Sequence, residues 1–268
     1  MAVRDITLGQ FFPGDTPIHR LDPRAKLLLT LFYIVALFVA NGFFSYLVLF
    51  ALLVLGVAIS HIKPKTILKG LKPVFIILVV TAILNIFYTP GHELVSFWIF
   101  TITYEGIRNA IFMIWRIMML ISCTFLLTYT TSPLLLTDGL EQLLGPLKKI
   151  KVPVHELAMM MSIALRFIPT LIEETDKIMS AQRARGADFD SGNLLDKAKA
   201  LIPLLVPLFV SAFRRADELA TAMECRCYHG GEGRTRLHEL HYRATDCICI
   251  IAGLLLCVII GLMRHLGL

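Results

Sequence analysis

Charge-free stretches and short polar punctuation alternate along the first half of the chain. Leu27 to Ala40, Tyr46 to Ser60 and Ile248 to Met263 contain no charged residue, and apolar runs approaching ~20 residues read as helices in lipid. A first helix is announced by Leu21-Asp22-Pro23-Arg24-Ala25-Lys26, where Asp22 can cap the open amides and Pro23 fills the first turn. It runs to about Ala40. Asn41-Gly42 turns the chain, and Phe43 to Ser60 returns to a basic run of Lys63, Lys65, Lys69 and Lys72. A third span covers about Pro73 to Tyr88 and is broken by Thr89-Pro90-Gly91, and a fourth covers about Gly106 to Tyr129. A last one covers about Ala244 to Leu262.

Between Ser132 and Arg243 the pattern changes, because this stretch holds 15 of the 26 basic and 14 of the 20 acidic residues. It predicts a short helix at about Pro133 to Lys149 and two long ones at about Val154 to Arg185 and Leu194 to Cys227. Each long helix is lopsided along its length. Val154 to Ile172 is largely apolar and Glu173 to Arg185 polar, while Leu201 to Val210 is apolar and Arg214 to Arg226 mixed. Neither apolar part reaches ~20 uninterrupted residues, so both are expected to lie partly in or under the membrane with polar tips projecting into water. Pro169, Pro203 and Pro207 predict bends. Ala212, Ala216 and Ala220 form a small-residue stripe at i, i+4, i+8, which would let helices cross with their backbones close together.

Composition fixes the class. With 268 residues, 56% hydrophobic, 17% charged and a mean hydropathy of +0.72, the chain is an all-α integral membrane protein and not a soluble domain, a disordered tail or a disulfide-stapled secreted fold. Six cysteines suggest no disulfide framework, and Met1 to Thr16 carries no recognisable cleaved signal. The net charge of +6 is better explained by cytoplasmic loops than by nucleic acid. Lys63 to Lys72 is rich in lysine, whereas residues 89–105 contain no Lys or Arg. That places the N-terminus, the basic loop and residues 132–243 in the cytoplasm and residues 89–105 outside. Three regions result: residues 1–131 with four spans, residues 132–243 as a cytoplasmic region of long helices, and residues 244–268 with a fifth span.

The most informative local pattern is a repetition. Ala181-Gln182-Arg183-Ala184-Arg185-Gly186 ends one long helix, and Ala222-Met223-Glu224-Cys225-Arg226-Cys227 ends the next, with Arg185 aligned to Arg226. One Arg at a helix C-terminus is explained by the helix dipole; two equivalent tips point to a paired docking device. Cys225, Cys227, His229, His238 and His241 are of zinc-ligating types, but the spacing lacks a C-x-x-C pair and no metal is expected. Arg116 lies deep in the fourth span, where it can snorkel, meet a carbonyl or hold helices together. Apart from Asp22, no acid falls in the first four spans, which weighs against a self-sufficient proton-coupled transporter. G-x-x-x-x-G-K-[ST], G-x-S-x-G and H-E-x-x-H are absent, so the chain should not hydrolyse ATP, and the alternative of a membrane enzyme rests on the Cys/His group alone.

These residues resemble the transmembrane T component of energy-coupling factor (ECF) vitamin transporters. The likeness rests on His19-Arg20-Leu21-Asp22-Pro23-Arg24-Ala25-Lys26-Leu27, on Thr128 to Pro133 with Gly139-Leu140-Glu141 and Pro146-Leu147, on Leu165-Arg166-Phe167-Ile168-Pro169, and on the two Arg-bearing tips. Ala184-Arg185-Gly186 matches the family's motif, whereas Cys225-Arg226-Cys227 departs from its Ala-Arg-Gly. The resemblance implies a complex with two ABC-type ATPases and a small membrane protein that binds the vitamin. It further implies that the two long helices are crossed coupling helices whose Arg tips enter grooves on the ATPases. The chain itself would then bind no cofactor, and the vitamin would be chosen by another subunit.

Overall fold

The computed structural model describes residues 11–89, 92–97, 100–187, 189, 193–231 and 239–265. Ten α-helices and one hairpin make up these residues: α1 Pro17–Arg20, α2 Pro23–Val39, α3 Phe43–Ser60, α4 Pro64–Tyr88, β1 Glu93–Phe97, β2 Phe100–Thr103, α5 Tyr104–Thr130, α6 Pro133–Leu143, α7 Val154–Ala184, α8 Leu194–Ala200, α9 Ile202–Glu224 and α10 Ala244–His265. A 3₁₀ turn at Gly145–Ile150 follows α6. The described residues fall into two compact units, one within Glu141–Glu239 and the other within Gly9–Leu140 and Leu240–Leu268.

Five helices are long and apolar enough to cross a membrane: α3, α4 over Pro64–Phe87, α5, α7 and α10. The protein is a multi-pass membrane protein. The set differs from the spans expected above. α2 has 17 residues, the short end of the crossing range at roughly 25 Å, because the Asn41-Gly42 turn ends it. α7 qualifies because its N-terminal part is apolar for long enough despite the polar tip. α4 begins nine residues before Pro73, so Lys65, Lys69 and Lys72 lie on helix. Pro73 sits inside it, where spanning helices tolerate the lost amide bond.

In the larger unit the core is formed by α2, α3, α5 and α10 around Ala36, Leu37, Tyr46, Leu49 and Ile260, all fully buried. α10 lies against α2 closely enough that a Cβ on Gly253 would meet the Leu29 side chain at 2.8 Å. The hairpin β1–β2 is antiparallel, pairing Val95 with Ile102 and Phe97 with Phe100, with a bulge between Glu93 and Val95. It is the one strand pairing among the described residues, and Val95-Ser96-Phe97 and Phe100-Thr101-Ile102-Thr103 are β-branched and aromatic enough to favour it.

In the other unit the second long helix is divided. α8 ends at Ala200 and α9 begins at Ile202, with Pro203 in its first turn where a missing amide costs nothing. α7 runs unbroken for 31 residues with Pro169 inside it, and α9 for 23 with Pro207 inside. α6 ends at Leu143, short of the expected Lys149, because the Gly145-Pro146 pair shifts the chain into 3₁₀ geometry.

Candidate functional site

The two helix tips close with the same motif. α7 stops at Ala184, Arg185 caps it, and Gly186 turns left-handed at φ 89°. The Gly186 amide donates to Arg183 O at 3.0 Å and the Ala187 amide to Gln182 O at 3.0 Å. Forty-one residues later the pattern recurs. Cys227 turns left-handed at φ 57°, its amide donates to Glu224 O at 2.9 Å, and the Tyr228 amide donates to Met223 O at 3.0 Å. Both tips are therefore Schellman caps in the same register, with the left-handed residue directly after Arg185 and after Arg226. The departure of the second motif from glycine leaves the geometry intact, at a backbone cost of ~1 kcal/mol for a side chain in left-handed space.

Ala184, Arg185 and Gly186 are exposed, as are Cys225, Arg226 and Cys227. Neither the Arg185 nor the Arg226 side chain has an ion pair or hydrogen bond among the described residues. Ala212, Ala216 and Ala220 are likewise exposed. The α9 side chains that reach α7 stand one position earlier: the Ser211 hydroxyl donates to Glu174 Oε1, and Arg215 Nη2 donates to Glu174 Oε2 at 2.7 Å. Leu219, one turn further on, is half-buried.

The chain leaving the second tip is pinned to the start of α7. His155 Nδ1 meets Glu141 Oε1 at 2.9 Å, and a Cβ on Gly231 would lie 2.4 Å from the imidazole, so only glycine lets the backbone pass. Cys225, Cys227 and His229 form no metal-ligating cluster among the described residues, and His238 lies outside them.

The motif around Asp22 builds a lock at the other unit's polar end. Asp22 caps α2, accepting from the Arg24 amide at 2.8 Å and from the Arg24 guanidinium at 3.0 and 2.8 Å. Burial acts to raise the Asp22 carboxyl, but these hydrogen bonds and the charges of Arg24 and Lys26 hold it below the usual carboxylate range. Arg24 also donates to Leu240 O at 2.9 Å and stacks 3.8 Å over the Tyr242 ring. Lys26 is buried, and its ammonium donates to His19 O, Thr130 O and Thr131 Oγ1 at 3.0 to 3.1 Å.

Sequence reasoning missed Asp246. It is 1% exposed and accepts from the Asp22 amide at 3.0 Å and the Arg243 amide at 2.8 Å. The second bond is half of a capping box at the start of α10, and an acid three residues past a polar break before an apolar run was the available signal. Arg116 donates to Tyr46 Oη at 2.8 Å and to Ala40 O at 3.4 Å. It thereby joins α5 to α3 and to the end of α2.

The model of the cobalt transport protein family (CbiQ) matches residues 14–237. The energy-coupling factor transporter transmembrane protein EcfT of Clostridium kluyveri is 56% identical over 264 residues, 98% of each chain. That of Acidaminococcus fermentans is 53% identical over 260 residues, 97% of each, and that of Lactococcus lactis subsp. cremoris 45% over 259 residues, 96% of this chain and 97% of its own. With likeness of this extent over nearly the whole chain, the chain belongs to the EcfT family of energy-coupling factor transporter transmembrane components.

Proposed function

We propose that this chain couples two ABC-type ATPases to a substrate-binding membrane protein, with Arg185 and Arg226 as the two docking charges. The observation that carries the reading is the pair of tips: two helices end in the same hydrogen-bonded cap, at the same register, with an exposed Arg immediately before the left-handed residue. A guanidinium presents several fixed donors and stays ionised, so it can bind acidic side chains or helix-end carbonyls directionally. The apolar halves supply the second surface. Met160 and Met161 on α7 and Leu205, Phe209 and Phe213 on α9 are exposed, as is the stripe Ala212, Ala216 and Ala220, where a partner helix can approach closely. The Lys-rich stretch from Lys63 to Lys72, against no Lys or Arg in residues 89–105, supports a cytoplasmic side for both tips and the N-terminus, where ATP is. When the ATPases close on ATP, they move the tips; the crossing helices reshape the apolar surface, and the substrate binder reorients and releases its cargo. Which cargo is carried belongs to that partner, and the chain itself is not the enzyme.

The test is Arg185→Glu with Arg226→Glu in the reconstituted complex. The double variant is expected to insert and to keep the substrate-binding protein, yet to lose both ATPases on purification and to abolish ATP-driven uptake. Copurification of both ATPases at parental stoichiometry with normal uptake overturns the assignment. Uptake by the chain alone favours a self-sufficient transporter.

A further inference from the structure

The ion pair between the two long helices occupies equivalent positions of the repeat that ends in the tips. Arg185 lies eleven residues beyond Glu174, and Arg226 lies eleven residues beyond Arg215. Eleven helical residues span ~16 Å and turn ~20° past three full turns, so each tip arginine leaves its helix on nearly the same side as the bridge residue. The two arms are equal in length and matched in direction.

They are also unbroken. Neither 175–184 nor 216–224 contains Gly or Pro, whereas on the other side of the bridge each helix carries an internal proline, Pro169 in α7 and Pro207 in α9. Any bend a proline imposes therefore falls on the apolar side, and nothing in the tip-side sequence interrupts the helix. The bridge also sits at the chemical boundary, immediately after the apolar stretch ending at Ile172 and next to Arg214, where the second helix turns polar.

Resting on the coupling function proposed above, we infer that the contact of Glu174 with Arg215 and Ser211 is the fulcrum of a two-armed lever: it holds the crossing point of α7 and α9 fixed while the tips move. Glu174 is a single carboxylate holding two groups of α9, the Ser211 hydroxyl on one oxygen and the Arg215 guanidinium on the other. Ser211 and Arg215 are one turn apart, so the grip fixes both position along α9 and rotation about it. The Arg215 and Glu174 side chains are 32% and 21% exposed, and a pair this accessible to water adds little to stability. Its effect is on register. A slipped register would let the tips move without moving the apolar arms.

The test uses the full complex in proteoliposomes and compares Glu174→Gln, Arg215→Gln and the exchange Glu174→Arg with Arg215→Glu. Both single variants should retain both ATPases and hydrolyse ATP, while uptake per ATP hydrolysed falls by about tenfold, within the usual range of coupling energies. The exchange should recover to within about threefold of the parent, because it restores the ion pair without the Ser211 contact. Spin labels at Gln182 and Met223 supply a second readout: one tip separation in the parent, a broadened distribution in each single variant and a narrower one in the exchange. Parental uptake per ATP in the single variants overturns the fulcrum, as does an exchange no better than either single. Loss of the ATPases from the single variants also overturns it, since the pair would then be supporting the docking surface. Should the tip arginines prove unnecessary for retaining ATPases, the coupling function falls by its own test.

Discussion

The two compact units differ in how much their helices bury against one another. Within Gly9–Leu140 and Leu240–Leu268, the charged groups taken out of water are engaged by several partners: Lys26 has three acceptors, Asp246 two amides and Arg116 a phenol and a carbonyl, while the Ser60 hydroxyl is buried with none among the described residues. Within Glu141–Glu239, α7 buries only Val154 and Ala158 and α9 only Leu204. The first unit satisfies these charged groups internally, where an unsatisfied one would cost several kcal/mol. Both units leave large side chains exposed, Phe75 and Ile76 at 63% and 70% in the first and Phe209 and Phe213 at 61% and 69% in the second, surfaces that require lipid or protein to cover them. The difference lies in how many side chains each unit buries against its own helices.

The comparison can be broken most severely at Asp246. Asp246→Ala leaves the Asp22 and Arg243 amides without their acceptor and removes the tie between the starts of α2 and α10, so a loss of about 3 kcal/mol is expected. It is read as a lower unfolding midpoint of the purified chain in detergent, and an unchanged midpoint would mean that the lock is ornamental. A smaller loss is expected from Arg116→Leu. This change frees Tyr46 Oη and Ala40 O but places an apolar side chain in the span, for a net cost of about 1 kcal/mol, as for other hydrogen bonds between membrane helices. A variant more stable than the parent would show that the arginine is kept for a reason other than packing.

The smallest effect sharpens the equivalence of the tips. Cys227→Gly relieves the left-handed strain and should stabilise the second cap by about 1 kcal/mol, while Gly186→Ala should weaken the first by a similar amount. Hydrogen exchange at the Tyr228 and Ala187 amides reports the two caps separately. Slower exchange at Tyr228 and faster exchange at Ala187 is the expected pair of outcomes, and no change at either would mean that these caps do not order the tips.

Periodicity and composition alone identified a helical membrane protein, and local chemistry found the first helix, because capping by Asp22 and the fixed φ of Pro23 act within one turn. The repeat of the tips was legible for the same reason: a Schellman cap is closed by atoms five residues apart. Where an interaction is local, the order of residues contains it. The face of α9 that meets α7 was not legible. Ala212, Ala216 and Ala220 form the visible small-residue stripe, but alanine suits an exposed helix as well as a close crossing, and the grip of Glu174 on Ser211 and Arg215 joins positions about forty residues apart. Nor could hydropathy show that Asp246 and Lys26 are buried, since their partners come from distant segments. Length set the remaining limit: α2 at 17 residues and α7 at 31 were ranked for the membrane by apolar runs, whereas helix ends are decided by turns, prolines and the packing of neighbours. Sequence determined what each segment can do by itself, and tertiary structure decided which polar groups meet, because pairing depends on distances that only the folded chain sets.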